Sequence, residues 1–200
     1  MSKCFVYIHG KGGSADEAKH YQKLFCASDV IGFDYQVQTP WEAKDVFLNF
    51  FRNISKKYQH VSIIANSIGA FLAMHALKDF EIDEAFFISP IVNMEKLITD
   101  MMQWANISKE ELQQKGTIQT EFGETLSWQY LEWVKAHPLE WKVLTQILYG
   151  QHDNLQSLKD IEDFCAQTGA DVTVMENGEH WFHTEEQMRF LDEWIMKNKS

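Results

Sequence analysis

Three residues whose side chains can act together in nucleophilic chemistry each follow a short apolar run. Ser67 follows the run VSIIA, Asp153 follows KVLTQILY, and His180 follows DVTVM. A serine hydroxyl is a weak nucleophile by itself. It needs a histidine to accept its proton, and the histidine needs a carboxylate to fix its tautomer and stabilise its charged form. The residue types therefore indicate a candidate nucleophile, acid and base in the chain order Ser67, Asp153, His180.

The residues around the serine form a second pattern. Ala65 to Gly69 reads ANSIG, which differs by one residue from the pattern G-x-S-x-G. In that pattern a sharp turn from strand to helix lifts the serine hydroxyl above the edge of a sheet and strains the serine backbone. The residues two before and two after the serine must be small, because larger side chains would collide across the turn. Ala65 is a mild departure, since alanine has the smallest side chain after glycine.

A glycine-rich segment, HGKGGS from His9 to Ser14, follows the first apolar run of the chain. Glycines let the backbone approach a substrate closely and present N–H groups to it. An N–H from Lys11 or Gly12, together with that of Ile68 at a helix start, would form an oxyanion hole. For the Lys11 side chain we favour a solvent-facing position. The alternative is an ammonium that attracts a carboxylate or phosphate on the substrate.

The elements that position these residues alternate between strands and helices. We predict strands over residues 4–9, 30–35, 61–65, 84–89, 142–149 and 171–175, and helices over 16–26, 41–58, 67–77, 155–166 and 185–197. This alternation is typical of α/β proteins and predicts a three-layer sandwich, with a six-stranded parallel sheet and helices on both faces. Parallel strands end at one edge of a sheet, so Ser67, Asp153 and His180 should meet there. The loop after the fourth predicted strand contains no carboxylate, which favours Asp153 as the acid.

Residues 91–141 break the alternation. They contain several helical pieces and no obvious strand, and they are rich in methionine and tryptophan: Met94, Met101, Met102, Trp104, Trp128, Trp133 and Trp141. We interpret them as a helical cap inserted between the fourth and fifth strands of a single domain. These side chains either pack within the cap or line an apolar acyl pocket, and both interpretations stay open.

Composition excludes several classes of protein. The chain has 200 residues, of which 45% are hydrophobic and 24% charged, so it can bury a core and is not disordered. The net charge of −11 disfavours binding to nucleic acid or to an anionic membrane. Three cysteines without a CxxC pair fit reduced thiols in the cytoplasm, and the N-terminus lacks the apolar run of a signal peptide. The uncharged residues 58–77 reach the length of a membrane span, but they include polar residues and fit a buried strand, a turn and a helix.

Taken together, four segments resemble the α/β-hydrolase superfamily: HGKGGS, ANSIG, GQHD from Gly150, and GEHWFH from Gly178. The resemblance extends from His9 to the closing helix. It implies Ser67 as nucleophile, Asp153 as acid and His180 as base, and it implies main-chain N–H groups of Lys11 and Ile68 as oxyanion donors. Two features depart from the family: Ala65 stands for the first glycine of the turn, and the usual two N-terminal strands are missing.

The resemblance also implies an activity. It is that of a small serine hydrolase that cleaves carboxylic esters, with thioesters and amides open to the same machinery. From the short aromatic cap and the acidic charge we expect small to medium acyl groups of uncharged or anionic character. The substrate would be a small molecule, with no metal, no cofactor, and no nucleic-acid or membrane partner. A non-catalytic binding protein with the same fold is the alternative.

Two other interpretations explain part of the sequence. The segment GKGGSA fits the dinucleotide-binding pattern G-x-G-x-x-G/A, and Asp34 lies where a ribose-binding acid belongs. This interpretation gives no reason for the placement of the serine, aspartate and histidine. A zinc site could use the HxxH spacing of His180 and His183 with the nearby His152, but no HExxH motif or cysteine partner supports it.

Overall fold

The apolar runs of the sequence form the strands of a sheet. The computed structural model describes residues 2–199, which contain the strands β1 (Lys3–Ile8), β2 (Asp29–Phe33), β3 (His60–Asn66), β4 (Ala85–Ile88), β5 (Thr117–Gln119), β6 (Thr125–Ser127), β7 (Thr145–Gly150) and β8 (Asp171–Met175). Six of them form one sheet in the order β2-β1-β3-β4-β7-β8, and all of its pairs are parallel. The predicted six-stranded parallel sheet is confirmed.

Helices flank this sheet. The described residues contain α1 (Ala18–Tyr21), α2 (Pro40–Ser55), α3 (Ile68–Ala76), α4 (Met94–Trp104), α5 (Lys109–Lys115), α6 (Trp128–Ala136), α7 (Leu158–Thr168) and α8 (Glu185–Asn198). The central strands β1, β3 and β4 are buried along nearly their whole length, which explains their continuous apolar runs. On one face, Phe86 of β4 packs against Trp194 of α8, with ring centroids 5.7 Å apart.

The first predicted helix, over residues 16–26, is much shorter in the structure. A 3-10 turn (Ala15–Glu17) leads into the four residues of α1, and the chain then turns. This turn brings Phe25 onto Phe5 of β1 at a centroid distance of 3.8 Å. We attribute the early end of the helix to this aromatic contact with the sheet. Extending so short a helix would add little stability in comparison.

The structure separates a second compact unit, Asn93–Leu139, from the unit that holds the sheet. This insertion contains α4, α5 and α6, and also the antiparallel hairpin of β5 and β6. The prediction that residues 91–141 contain no strand is wrong here, because two three-residue strands are too short to show an alternating pattern. Trp141 belongs to the sheet unit, where its indole N–H donates to Thr145 Oγ1 at 2.8 Å. That the insertion acts as a cap stays a prediction.

Residues 58–77 form the strand, turn and helix that the sequence predicts, namely β3, Ser67 and α3. Across residues 2–199, none of the helices is both long and apolar enough to cross a membrane.

Candidate functional site

The turn between β3 and α3 places Ser67 in a strained conformation. Its φ and ψ are +50° and −122°, a region that costs a non-glycine residue about 1–3 kcal/mol. Two backbone hydrogen bonds hold the turn: Ser67 N–H donates to Ile88 at 3.0 Å, and Ile91 N–H donates to the Ser67 carbonyl at 3.2 Å. A side chain at Gly69 would place its Cβ 2.3 Å from the His9 carbonyl oxygen. The pattern requires a small residue two positions after the serine because a larger one at Gly69 would collide with the backbone at the end of β1.

The three candidate residues are joined by hydrogen bonds. Ser67 Oγ lies 2.8 Å from His180 Nε2, and His180 Nδ1 lies 2.7 Å from Asp153 Oδ2. The other Asp153 oxygen accepts the backbone N–H groups of Leu155 at 2.8 Å and Gln156 at 3.0 Å. The Asp153 side chain is completely buried and that of His180 is 15% exposed. A carboxylate at Nδ1 orients the ring so that Nε2 faces the serine hydroxyl and can accept its proton.

Direct backbone packing brings the aspartate and histidine loops together. The aspartate loop follows β7 and the histidine loop follows β8, its neighbour in the sheet. A Cβ at Gly150 would lie 2.4 Å from the Glu179 carbonyl oxygen, so only glycine allows this approach. The N–H of His152 donates to the Gly178 carbonyl at 2.7 Å. The glycines in GQHD and GEHWFH therefore have a structural role in forming the pair.

The glycine-rich segment lies beside the serine. It follows β1, which pairs with both β2 and β3, so the sheet changes its direction of winding at this point. A Cβ at Gly10 would lie 3.3 Å from Ser67 Cβ, and Gly13 N–H donates to the Gly10 carbonyl at 3.1 Å. This turn contains the exposed Lys11, and Ile68 is the first residue of α3. The backbone segments of both predicted oxyanion donors thus border Ser67.

No protein-family model matches the sequence, and no curated protein matches it. Solved structures do match it over 98% of its length. The α/β-hydrolase domain-containing protein 10 from mouse has 14% identity and a TM-score of 0.77, with 89% of that chain covered. Est1E from Butyrivibrio proteoclasticus has 14% identity and a TM-score of 0.73 over 86% of that chain. A lipase-esterase related protein from Clostridium acetobutylicum has 12% identity and a TM-score of 0.68 over 93%.

The chain has the α/β-hydrolase fold. In this fold the serine turn follows a central strand, and the acid and histidine come later in the order Ser, Asp, His. Ser67, Asp153 and His180 follow that order, and their hydrogen bonds connect them at one edge of the sheet.

Within this α/β-hydrolase fold, a hydrogen-bonded network around the buried Tyr7 side chain, which the sequence analysis missed, supports the serine turn. Asn66 Nδ2 donates to the Tyr7 hydroxyl at 2.8 Å, and the Tyr7 hydroxyl donates to Glu17 Oε2. Glu17 Oε1 accepts the N–H of Ser14 at 3.2 Å. Burial raises the pKa of Tyr7, so its hydroxyl keeps the proton that it donates. The S-x-x-E spacing of Ser14 and Glu17 is a capping-box signal that could have placed Glu17 at this turn.

The two rival interpretations, dinucleotide binding and a zinc site, find little support among the described residues. Nowhere in residues 2–199 do three or more His, Cys, Asp or Glu side chains group so that they could hold a metal ion. The imidazole of His183 instead stacks on Trp181 at a centroid distance of 4.2 Å. The glycine-rich segment leads into a 3-10 turn and the four-residue α1, rather than into the long helix whose N-terminus would bind a pyrophosphate. Burial raises the pKa of the Cys4 thiol to about 12, which excludes it as a rival nucleophile.

Proposed function

We propose that this protein is a serine hydrolase that cleaves carboxylic esters of small to medium acyl groups. The observation that supports it best is the hydrogen-bonded chain from Ser67 Oγ through His180 to the buried Asp153, at 2.8 and 2.7 Å. Among the matched solved structures is also an esterase from Pyrococcus furiosus, with 17% identity and a TM-score of 0.62 over 83% of that chain. The N–H groups of Leu155 and Gln156 compensate the charge of the buried Asp153 carboxylate, and acyl transfer gives this carboxylate beside His180 a use.

In this proposal, Ser67 Oγ attacks the substrate carbonyl carbon while His180 Nε2 accepts the hydroxyl proton. The N–H groups of Ile68 and Lys11 stabilise the oxyanion that forms. His180 then gives the proton to the leaving oxygen, and the carbon–oxygen bond to the alcohol breaks. Water hydrolyses the resulting acyl-enzyme by the same steps. Throughout, Asp153 stabilises the charged imidazole and keeps its orientation.

Labelling with a fluorophosphonate probe tests this proposal, because the probe reacts with an activated serine. We expect one adduct on Ser67, and we expect Ser67→Ala to lose the adduct and about 10⁴- to 10⁶-fold in kcat on a short-chain ester. Ser62→Ala is the matched control. Ser62 lies in β3, the strand that precedes Ser67, and its buried hydroxyl has no hydrogen-bond partner among the described residues.

The Ser62→Ala variant should keep both labelling and hydrolysis. Folded protein that gives no adduct on Ser67 and hydrolyses no ester would overturn the proposal and favour a binding protein of the same fold. Titration with NADH, followed by fluorescence, would then separate a dinucleotide-binding protein from other binding proteins.

A further inference from the structure

A tryptophan directly after the candidate base is unusually exposed. Among the exposed large apolar side chains of residues 2–199, Trp181 has the largest exposed fraction, 72%. A single exposed apolar residue is common on protein surfaces and needs no explanation by itself. Two further properties of Trp181, its orientation and its position, distinguish it from such a residue.

The indole of Trp181 is held on one side. The imidazole of His183 stacks on it, with ring centroids 4.2 Å apart and an interplanar angle of 17°. Two short contacts hold His183 in turn. Its Nδ1 lies 2.7 Å from the Trp181 carbonyl oxygen, and its backbone N–H donates to the Gln187 side-chain oxygen at 3.0 Å. An indole supported on one face, and exposed overall, offers a preorganised surface to a second planar group.

Trp181 lies in the same loop as His180, the candidate base, and this position relates the exposed indole face to the alcohol part of the substrate. Trp181 follows His180 in the chain, so their Cα atoms are about 3.8 Å apart. In the proposed reaction His180 gives its proton to the leaving oxygen, and the alcohol part of the ester therefore lies on the His180 side of the scissile bond.

The charge of the surrounding segment narrows the chemistry further. Within five residues of Trp181 the chain carries Glu176, Glu179, Glu185 and Glu186 and no lysine or arginine. These carboxylates disfavour an anionic alcohol part beside Trp181. An uncharged planar group meets no such repulsion and gains from stacking.

We propose that Trp181 is a specificity-determining residue that binds an uncharged aromatic group on the alcohol side of the substrate. This inference rests on the proposed function and deepens it: the preferred esters are those of aryl-bearing alcohols. The bond that breaks is the acyl carbon–oxygen bond, and the aryl-bearing alcohol leaves with the proton from His180. Stacking on the indole is worth about 2- to 10-fold in kcat/KM over a saturated group of the same size.

Two acetates test the inference, because they share the acyl group and differ only in the alcohol ring. Benzyl acetate has an aromatic ring, and cyclohexylmethyl acetate has a saturated ring of similar size. We expect the parent protein to prefer benzyl acetate by about 2- to 10-fold in kcat/KM. Trp181→Leu should remove this preference by lowering kcat/KM on benzyl acetate more than on cyclohexylmethyl acetate, whereas Trp181→Phe should keep much of it. Leu144→Ala is the matched control, since Leu144 is 62% exposed but precedes β7 at the opposite edge of the sheet.

Several outcomes would overturn the inference. One is a preference that Trp181→Leu leaves intact, and another is an equal loss on both acetates, which would show that Trp181 only supports His180. A third is a Trp181-dependent preference for acetylcholine over 3,3-dimethylbutyl acetate that exceeds the aromatic preference, because the indole would then bind a cation. Hydrolysis and Ser67 labelling without any preference that depends on Trp181 refute this inference alone. Absence of both hydrolysis and labelling refutes the proposed function and this inference with it.

Discussion

Two histidine–aspartate pairs lie at opposite edges of the same sheet. At the carboxyl edge, His180 Nδ1 is 2.7 Å from Asp153; at the amino edge, His60 Nδ1 is 3.0 Å from Asp83. The side chains of the first pair are 15% and 0% exposed, and those of the second are 44% and 36% exposed. The two pairs use the same ring nitrogen at similar distances. A short histidine–aspartate contact is therefore no sign of a catalytic site by itself.

The difference lies in what surrounds each pair. The second oxygen of Asp153 accepts two backbone N–H groups, so the buried charge is compensated without a basic side chain. The other nitrogen of His180 meets the hydroxyl of Ser67. The amino-edge pair is partly exposed to solvent, where a contact of this kind contributes little to stability. Burial, a second set of donors and a nucleophile are what distinguish the candidate site.

Of the substitutions that test this comparison, Asp153→Asn is expected to have the largest effect, a loss of kcat. The amide keeps the size of the carboxylate but cannot stabilise a charged imidazole or enforce its tautomer. We expect kcat on a short-chain ester to fall about 10⁴-fold, the loss known for this change in a serine protease. Labelling of Ser67 by a fluorophosphonate should slow in parallel. A loss below 10-fold would show that the buried aspartate has no more influence on the serine than the exposed one.

A smaller effect is expected from the residue that supports the buried carboxylate. Gln156 is 2% exposed, its N–H donates to Asp153, and its side-chain oxygen accepts the N–H of Val92 at 2.9 Å. Gln156→Leu keeps the backbone bond to Asp153 but leaves the Val92 N–H without this acceptor. We expect the free energy of unfolding to fall by about 1–3 kcal/mol, measured by urea denaturation. Ser62→Ala, which removes a buried hydroxyl that has no hydrogen-bond partner among the described residues, is the control and should not show this fall. Equal stability of Gln156→Leu and the parent would contradict the role given to this contact.

The candidate site was largely predictable from the sequence because its residues follow strands. Ser67, Asp153 and His180 each come just after an apolar run, and parallel strands bring such positions to one edge. The same reasoning does not select His60, since it begins β3 instead of following it. The direction of the strands, which can be predicted from the sequence, thus distinguishes the candidate catalytic pair from the amino-edge pair without any measured distance.

Other features could not be predicted because they depend on contacts between distant segments. The Tyr7 hydroxyl joins Asn66 to Glu17 across two strands and a turn. Tyr7 lies within an apolar run of the sequence, so the sequence gives no sign that its hydroxyl forms these hydrogen bonds. The predicted helix over 155–166 begins three residues later, because Ser157 and Asp160 form a capping box. That later start leaves residues 154–156 in a bend outside the helix, where the N–H groups of Leu155 and Gln156 reach the Asp153 carboxylate, and helical periodicity does not contain this detail.

The smallest effect is expected from Asp83→Asn, the counterpart of Asp153→Asn at the amino edge. An exposed ion pair contributes about 0.2–1 kcal/mol, and salt screens it further. We therefore expect the free energy of unfolding to change by less than about 1 kcal/mol, and kcat to stay within about 2-fold of the parent. His60→Gln should give the same result, because it removes the other partner of the same pair. A loss of kcat above 10-fold in either variant would show that the amino edge influences the site through the strand β3. The contrast between the two pairs would then lie in their connection to Ser67 and not in their burial.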